Sequence, residues 1–241
     1  MSGARDRHHS EAETGVEVSK VFRIPQKSAA ADLLEKAKPN GPYTTIYADP
    51  PWRFMNRTGK VAPEHQRLLR YPTMTQEEII ELPVNHLAAA QSHLYLWVPN
   101  ALIAEGLEVM KHWGFTYKTN LVWYKTRIDG GPDGRGVGFY FRNVTELVLF
   151  GTRGGLRTLQ PGRTQVNLVP KRKREHSRKP DEFYNVIEEC SPGPYLELFA
   201  RHPRPGWSQW GNEDVEYGPQ DQDSSNVTSG GIVLPRDISA G

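Results

Sequence analysis

Short apolar runs alternate with amphipathic segments through the middle of the chain. The runs are rich in aromatic and β-branched side chains, which is typical of buried strands. Helical patterns lie between most of them, and this alternation predicts an α/β fold with a mostly parallel central sheet. The predicted strands are residues 43–48, 93–98, 115–125, 144–150 and 195–199.

Capping residues indicate where the helices begin and end. Thr75 and Glu78 form a capping-box pattern, Asn100 is a favoured N-cap residue, and Gly114 supplies a left-handed stop. Pro180 suits the first position of a helix, and the acidic residues that follow it in the first turn suit the helix dipole. The predicted helices span approximately residues 28–38, 75–82, 101–113 and 180–190.

The two ends of the chain differ from its middle. Residues 1–20 and 218–241 are rich in Ser, Gly, Asp, Glu and Gln and show no periodicity, which predicts disordered tails. The remaining residues, 21–217, suit a single domain, since a chain of 241 residues does not require two. A hydrophobic content of 37% supports a folded core for this domain.

Charge distribution is more informative than net charge. The net charge of +2 does not by itself indicate a polyanionic partner. Between residues 153 and 179, however, nine Lys or Arg residues accompany a single acid, Glu175. This run favours phosphate binding, and a solvated basic loop is the alternative. The candidate nucleic-acid-binding residues are Arg135, Arg142, Lys171, Arg172, Lys173 and Arg174.

Cysteine content and hydropathy restrict the class of protein further. Cys190 is the only cysteine, so no intramolecular disulfide can form, and no Cys/His spacing suggests a metal site. Residues 1–20 lack the apolar core of a signal peptide. No apolar run approaches the ~18 residues that a membrane-spanning helix needs. We therefore expect a soluble cytoplasmic protein with no membrane or metal partner, and its oligomeric state stays open.

Asp49-Pro50-Pro51-Trp52 directly follows the first predicted strand. Ligands of open parallel sheets bind beyond the carboxyl ends of the strands. The two prolines fix φ and lack an N–H group, so this turn is stiff. The Asp49 carboxylate and the Pro50 carbonyl offer acceptors to an amino group, and the Trp52 ring suits stacking on a planar base. A simple strand-ending turn is the alternative interpretation.

The chemistry of an aromatic amine explains why such a loop is needed. The exocyclic amine of adenine is a poor nucleophile, because its lone pair is delocalised into the ring. Acceptors at Asp49 and Pro50 favour a localised lone pair and stabilise the positive charge that develops during methyl transfer. Alignment of the nitrogen, the methyl group and a sulfonium completes the catalysis. The candidate catalytic residues are therefore Asp49, Pro50, Pro51 and Trp52.

Five motifs in this order resemble the MT-A70 family, whose members include the catalytic subunit of the eukaryotic mRNA adenosine methyltransferase. The resemblance covers roughly residues 43–213. It implies a Rossmann-like methyltransferase fold with helices on both sheet faces, S-adenosylmethionine as cofactor, and a catalytic motif that precedes the cofactor motifs. The motifs are YADPPW at 47–52, YPTM at 71–74, LYLWV at 94–98, KPDE at 179–182 and LELFAR at 196–201.

The resemblance also implies which residues bind the cofactor. Glu213 stands where the mRNA enzyme has glutamine, and either side chain can accept from ribose hydroxyls. Thr145 replaces a lysine of that enzyme, so Lys179 or Arg142 is expected to supply the missing cation. The cofactor-binding candidates are Ser177, Lys179, Pro180, Phe199, Arg201, Asn212 and Glu213.

The leading functional hypothesis is methylation of the adenine amino nitrogen in DNA. DNA is favoured because residues 53–70 resemble the bacterial and phage members of the family more than the eukaryotic ones. The same reaction on RNA is one alternative. A nucleic-acid-binding subunit without catalysis is another, and the replacement at Thr145 favours it.

Overall fold

A single mixed sheet organises the part of the chain that the computed structural model describes, residues 26–53, 73–134, 140–173 and 179–211. Both predicted tails lie outside these ranges. Seven described strands form the sheet: β1 (Tyr43–Ala48), β2 (Ala88–Val98), β3 (Thr116–Thr126), β4 (Thr145–Arg153), β5 (Leu168–Arg172), β6 (Tyr195–Ala200) and β7 (Trp207–Gly211).

The strand order is β5-β3-β4-β2-β1-β6-β7. β1 is parallel to β2 and to β6, β6 is parallel to β7, and β3 is parallel to β5. β4 pairs antiparallel with both β2 and β3, so it runs against the other six described strands. Such a pair needs no crossover helix. The predicted, mostly parallel sheet is therefore confirmed, with one reversed strand.

Five described α-helices accompany the sheet. Three short 3₁₀ turns among the described residues, at Lys38–Asn40, Asn100–Leu102 and Gln160–Arg163, adjoin or link the larger elements. The helices are α1 (Gln26–Ala37), α2 (Gln76–Ile80), α3 (Val84–Leu87), α4 (Ile103–His112) and α5 (Glu182–Cys190).

Alternating side chains of the strands build a core on each face of the sheet. On β2, Leu94 and Leu96 join the cluster that contains residues of α1 to α4. Tyr95 and Trp97 point the other way and pack in a second cluster with Phe183 of α5. This period of two is the usual consequence of strand geometry. Helices therefore cover both faces, as predicted.

Two local sequence signals act as predicted. Thr75 caps α2, and its hydroxyl accepts from the Glu78 N–H while the Glu78 carboxylate accepts from the Thr75 N–H. Gly114 has φ of 85°, a left-handed conformation that ends the helix α4. These signals succeed because they depend on neighbouring residues alone.

Other predicted boundaries are wrong. The Asn100 side chain does not cap a helix; it donates to the carbonyl and hydroxyl of Thr145, and α4 begins at Ile103. Pro180 is not the first helical residue, because Asp181 is the N-cap of α5. α3, β5 and β7 had no predicted counterpart.

No helix among the described residues is long and apolar enough to cross a bilayer.

Gly106 allows α4 to lie close to the sheet, which leads to a stability prediction. A Cβ atom at this position would approach Val98 Cγ2 to 2.5 Å. We expect Gly106→Val to lower the free energy of unfolding by ~2–3 kcal/mol, because the side chains that it would meet, Val98 and Leu149, lie in a packed core. Thermal and urea denaturation measure this change. Ala104→Val places the same side chain on an exposed position of α4 and should cost only ~0.5 kcal/mol. Equal losses in the two variants would contradict the packing argument.

Candidate active site

The carboxyl ends of the parallel strands meet at one edge of the sheet. Asp49 follows β1, and Arg201 follows the neighbouring strand β6. Lys125 lies near the end of β3, and Glu146 lies near the start of the reversed strand β4, so both reach the same edge. Lys179, just before α5, also extends to it, since its ammonium contacts Asp49. The topology therefore gathers these five charged side chains from distant parts of the sequence.

The loop after β1 is held by backbone hydrogen bonds. The Trp52 N–H donates to the Pro50 carbonyl at 2.9 Å, closing a tight turn. The Met74 N–H donates to the Pro51 carbonyl at 2.8 Å, and the Arg53 N–H donates to the Met74 carbonyl at 2.9 Å. The loop is therefore fixed, as its prolines indicated. Pro50 is buried, and one of the two lone pairs on its carbonyl is already used.

The Trp52 side chain anchors this loop in the core. The residue is only 7% exposed, and its indole N–H donates to the Trp97 carbonyl at 2.9 Å. The Trp52 indole is therefore packed within the protein in this structure, and its stacking on a base stays a prediction. Its hydrogen bond to Trp97 ties the loop that contains Asp49 and Pro50 to β2.

Four alternating charges form a row at the edge of the sheet. The Lys179 ammonium lies 3.0 Å from Asp49 Oδ1 and 3.4 Å from Glu146 Oε2. The other oxygen of Glu146 accepts from the Lys125 ammonium at 2.6 Å. The row therefore runs Lys125, Glu146, Lys179, Asp49, and each charge inside it has a neighbour of opposite sign on both sides.

The charge row stabilises the ionised form of its two inner members. Burial raises the pKa of Glu146, but Lys179 and Lys125 outweigh it and hold the pKa below its ordinary value of 4.5. Burial likewise lowers the pKa of Lys179, but Asp49 and Glu146 outweigh it and raise the pKa above 10.5. Both groups are therefore charged at neutral pH.

The ring of Trp97 packs against the ammonium group of Lys179. The ammonium lies 4.8 Å from the centroid of the Trp97 ring, within the range of a cation–π contact. The Trp97 indole N–H donates to the Tyr47 hydroxyl at 2.6 Å, which fixes the plane of the ring. Trp97 thus contacts Lys179 through its ring and Trp52 through its carbonyl.

A second carboxylate lies beneath the loop. Glu197 on β6 is 8% exposed and accepts from the Tyr184 hydroxyl at 2.7 Å and from the Gln209 amide at 2.6 Å. Burial raises the pKa of Glu197, and the negative charge of Asp49 adds to this effect. Glu197 therefore connects α5, β6 and β7, and it lies near enough to Asp49 for the charge of Asp49 to act on it.

The end of β6 has an irregular backbone. Phe199 adopts φ of 66°, which is unusual for a residue other than glycine, and the pairing with β7 shifts register here. Gly211 on β7 lies against this bulge, where a Cβ atom would come within 2.2 Å of the Ala200 carbonyl oxygen. The bulge turns the Phe199 ring onto Trp210, with 5.4 Å between ring centroids. Arg201 follows, and its positive charge opposes the raised pKa of Lys179 without reversing it.

The sequence of this site matches a known family. The MT-A70 family model covers residues 43–213, which include every side chain of the charge row. The chain belongs to the MT-A70 family. This is a family of adenine N(6)-methyltransferases, and the observed sheet agrees with its Rossmann-like fold.

Curated relatives from this family come from bacteria and eukaryotes. The chain is 28% identical over 207 residues to the type II methyltransferase M.MunI of Mycoplasma sp, covering 78% of this chain and 86% of the relative. It is 33% identical over 183 residues to a putative N(6)-adenosine-methyltransferase of Medicago truncatula. It is 31% identical over 181 residues to the human N(6)-adenosine-methyltransferase catalytic subunit METTL3. These two alignments each cover 72% of this chain but only 26% and 28% of the relatives.

Several predicted MT-A70 site residues meet in the structure. Asp49, Lys179, Phe199 and Arg201 lie at the same edge of the sheet, and Pro180 is buried next to Lys179. Ser177, Asn212 and Glu213 lie outside the described residues.

The residues predicted to contact nucleic acid differ in exposure and in pairing. Lys171 lies on β5 and pairs with Glu182, so part of its charge is compensated within the protein. Arg142, Arg172 and Lys173 are exposed. Arg135 and Arg174 lie outside the described residues.

Sequence reasoning missed two members of the charge row. Lys125 and Glu146 are 21 residues apart in the sequence, and only the antiparallel register of β3 and β4 brings them together. The available signal was opposite charge at the end of one strand and the start of the next. Of the two cations expected to compensate for Thr145, Lys179 contacts Glu146, whereas Arg142 is exposed.

Among the described residues, no group of three or more His, Cys, Asp or Glu side chains is arranged to hold a metal ion.

The lowered pKa of Glu146 leads to a prediction about pH dependence. A carboxylate whose pKa is lowered by folding contributes stability above its unfolded pKa and loses it as pH falls through the folded pKa. Glu146→Gln should therefore unfold more easily than the wild type at pH 7, and the difference should shrink below about pH 4. Denaturant titrations at several pH values measure it. Glu35→Gln, on an exposed position of α1, is the control and should show no such narrowing. A constant Glu146→Gln difference between pH 7 and about 3 would contradict the charge row.

Proposed function

We propose that this protein uses S-adenosylmethionine to methylate the exocyclic amino nitrogen of adenine in DNA. The observation that carries the proposal is the state of Asp49. Lys179 holds its Oδ1 atom, whereas Oδ2 has no hydrogen-bond donor among the described residues. An oriented carboxylate with one available acceptor oxygen thus lies at the ligand-binding edge of the sheet.

This arrangement suits an aromatic amine. The adenine amino group has two N–H donors, and Asp49 Oδ2 together with the second lone pair of the Pro50 carbonyl can accept them. The negative charge of Asp49 stabilises the positive charge that develops on the nitrogen during methyl transfer. Because Trp52 and Lys179 hold the two acceptors in advance, little reorganisation is needed at the moment of reaction.

The charged groups at this edge fit the proposed cofactor. S-adenosylmethionine supplies, when bound, an electrophilic methyl group on a sulfonium. Its methionine portion carries a carboxylate, for which Lys179 and Arg201 are suitable cations. On the β7 side of this edge, the bulge at Phe199 packs its ring against Trp210. Ser177, Asn212 and Glu213 join this cofactor site on the family resemblance.

DNA is the proposed polymer, and two facts support it. The chain aligns with most of a bacterial type II methyltransferase but with little more than a quarter of the N(6)-adenosine-methyltransferases. Arg172 and Lys173 are exposed and suit backbone phosphates, and the sequence hypothesis adds Arg135, Arg142 and Arg174. Parallel assays on duplex DNA, single-stranded DNA and RNA test this choice, and preferred transfer to RNA would contradict it.

An inactive nucleic-acid-binding subunit is the competing candidate, favoured by threonine at position 145. The tied loop and the oriented Asp49 favour the enzyme. Calorimetry with S-adenosylmethionine separates the two, because an inactive subunit should show no cofactor binding.

Asp49→Ala tests the proposed chemistry. We expect transfer of labelled methyl groups to adenine to fall by roughly 100-fold or more, because the acceptor for the amine and its charge are lost. Nucleoside mass spectrometry measures the product, and calorimetry checks that the variant still binds cofactor. Asp129→Ala, in an exposed loop, is the matched control and should retain full transfer. Wild-type rates in Asp49→Ala would contradict the mechanism.

A further inference from the structure

A basic cleft lies at the edge of the sheet opposite Asp49. It has a volume of about 520 Å³ and lies between the carboxyl end of β4, the following loop and Lys118 of β3. Phe150 and Thr152 of β4 line its inner side, and Arg157, Thr158 and Arg163 line its outer side. This cleft shares no lining residue with the charge row.

The charges of the cleft are all of one sign. Lys118, Arg157 and Arg163 are exposed, and no described residue forms a hydrogen bond or ion pair with their side chains. The residues that line the cleft include no Asp or Glu. Two threonine hydroxyls add neutral donors. Three uncompensated cations with hydroxyl donors provide the chemistry that binds phosphate oxygens.

The loop that forms the outer side is held in place. The Leu156 carbonyl accepts from His93 Nε2 at 3.1 Å, and Nδ1 of the same ring lies 2.7 Å from the Ser191 hydroxyl oxygen. The Leu159 N–H donates to the Cys190 carbonyl at 2.8 Å at the end of α5. Gly154 turns the chain with φ of 65°. The basic cleft is therefore formed before a ligand binds, which lowers the entropic cost of binding.

The basic cleft and the charge row lie at opposite edges of the sheet but on the same face. Glu146 and Thr152 are six residues apart on β4, so their side chains point to the same side. At ~3.4 Å per residue, the two positions are separated by about 20 Å. One strand of a DNA duplex rises 3.4 Å per base pair, so the same distance corresponds to roughly six base pairs.

We propose that the basic cleft binds backbone phosphates of the nucleic-acid substrate, at least about six base pairs from the adenine at Asp49. This inference rests on the proposed function, because it takes the polymer that reaches Asp49 as its ligand. The cleft fixes the register of the duplex without reading its sequence.

Binding of fluorescent DNA hairpins by anisotropy tests the proposal. One hairpin carries about three base pairs on each side of the adenine, and the other carries about twelve, enough to reach the cleft on either side. Arg157→Gln/Arg163→Gln removes two cations from the basic cleft. Lys38→Gln/Lys111→Gln removes two exposed cations elsewhere and is the matched control. Thermal denaturation confirms that both variants fold.

The two hairpins should respond differently. We expect the cleft variant to bind the long hairpin about tenfold or more weakly at ~0.1 M salt, with a salt slope smaller by about two. Its affinity for the short hairpin should match that of the control. A cleft variant that resembles the control on both hairpins, or that weakens both equally, would overturn the proposal.

Methyl transfer is measured on the same hairpins. If the wild type binds through the cleft but transfers no methyl group, the proposed function fails while the cleft stands. If it methylates adenine in the long hairpin and the cleft variant binds that hairpin normally, only the cleft proposal fails.

Discussion

The contact between Lys179 and Asp49 joins the two parts of this site. Asp49 follows strand β1, and Lys179 precedes α5, 130 residues later in the chain. Both side chains are only 21% exposed, so each charge would be costly without the other. Because Glu146 and Trp97 also contact Lys179, the ammonium has little freedom to leave Asp49.

Trp97 connects Lys179 to the loop that follows β1. Its ring supports Lys179, and its carbonyl accepts from the Trp52 indole. Lys179 and the Trp52 side chain therefore both depend on the same residue, near the carboxyl end of β2. Trp97, a buried residue with no proposed contact to substrate, thereby helps to fix the positions of the Asp49 carboxylate and the Pro50 carbonyl.

Sequence reasoning identified the elements that local signals define. β1 was predicted with its observed bounds, because an aromatic and β-branched run lies between two groups of prolines. The edge strands β5 and β7 were missed, since LVPKR and WSQWG are short, partly exposed and lack a continuous apolar pattern. The contacts that were not predicted depend on how distant parts of the chain align in the sheet. The contact of Lys125 with Glu146 depends on how β3 aligns with β4, and the burial of Trp52 depends on Trp97 of another strand.

A crystal structure of the protein with an unreactive cofactor analogue and an adenine-containing oligonucleotide would show directly whether Asp49 and Pro50 accept hydrogen bonds from the adenine amine. We expect the adenine amino nitrogen to lie about 2.7–3.2 Å from both the free oxygen of Asp49 and the Pro50 carbonyl oxygen. Lys179 should remain on the other oxygen of Asp49. A base whose amino group lies away from Asp49, or a Lys179 that has left the carboxylate while the base is bound, would contradict the proposed mechanism.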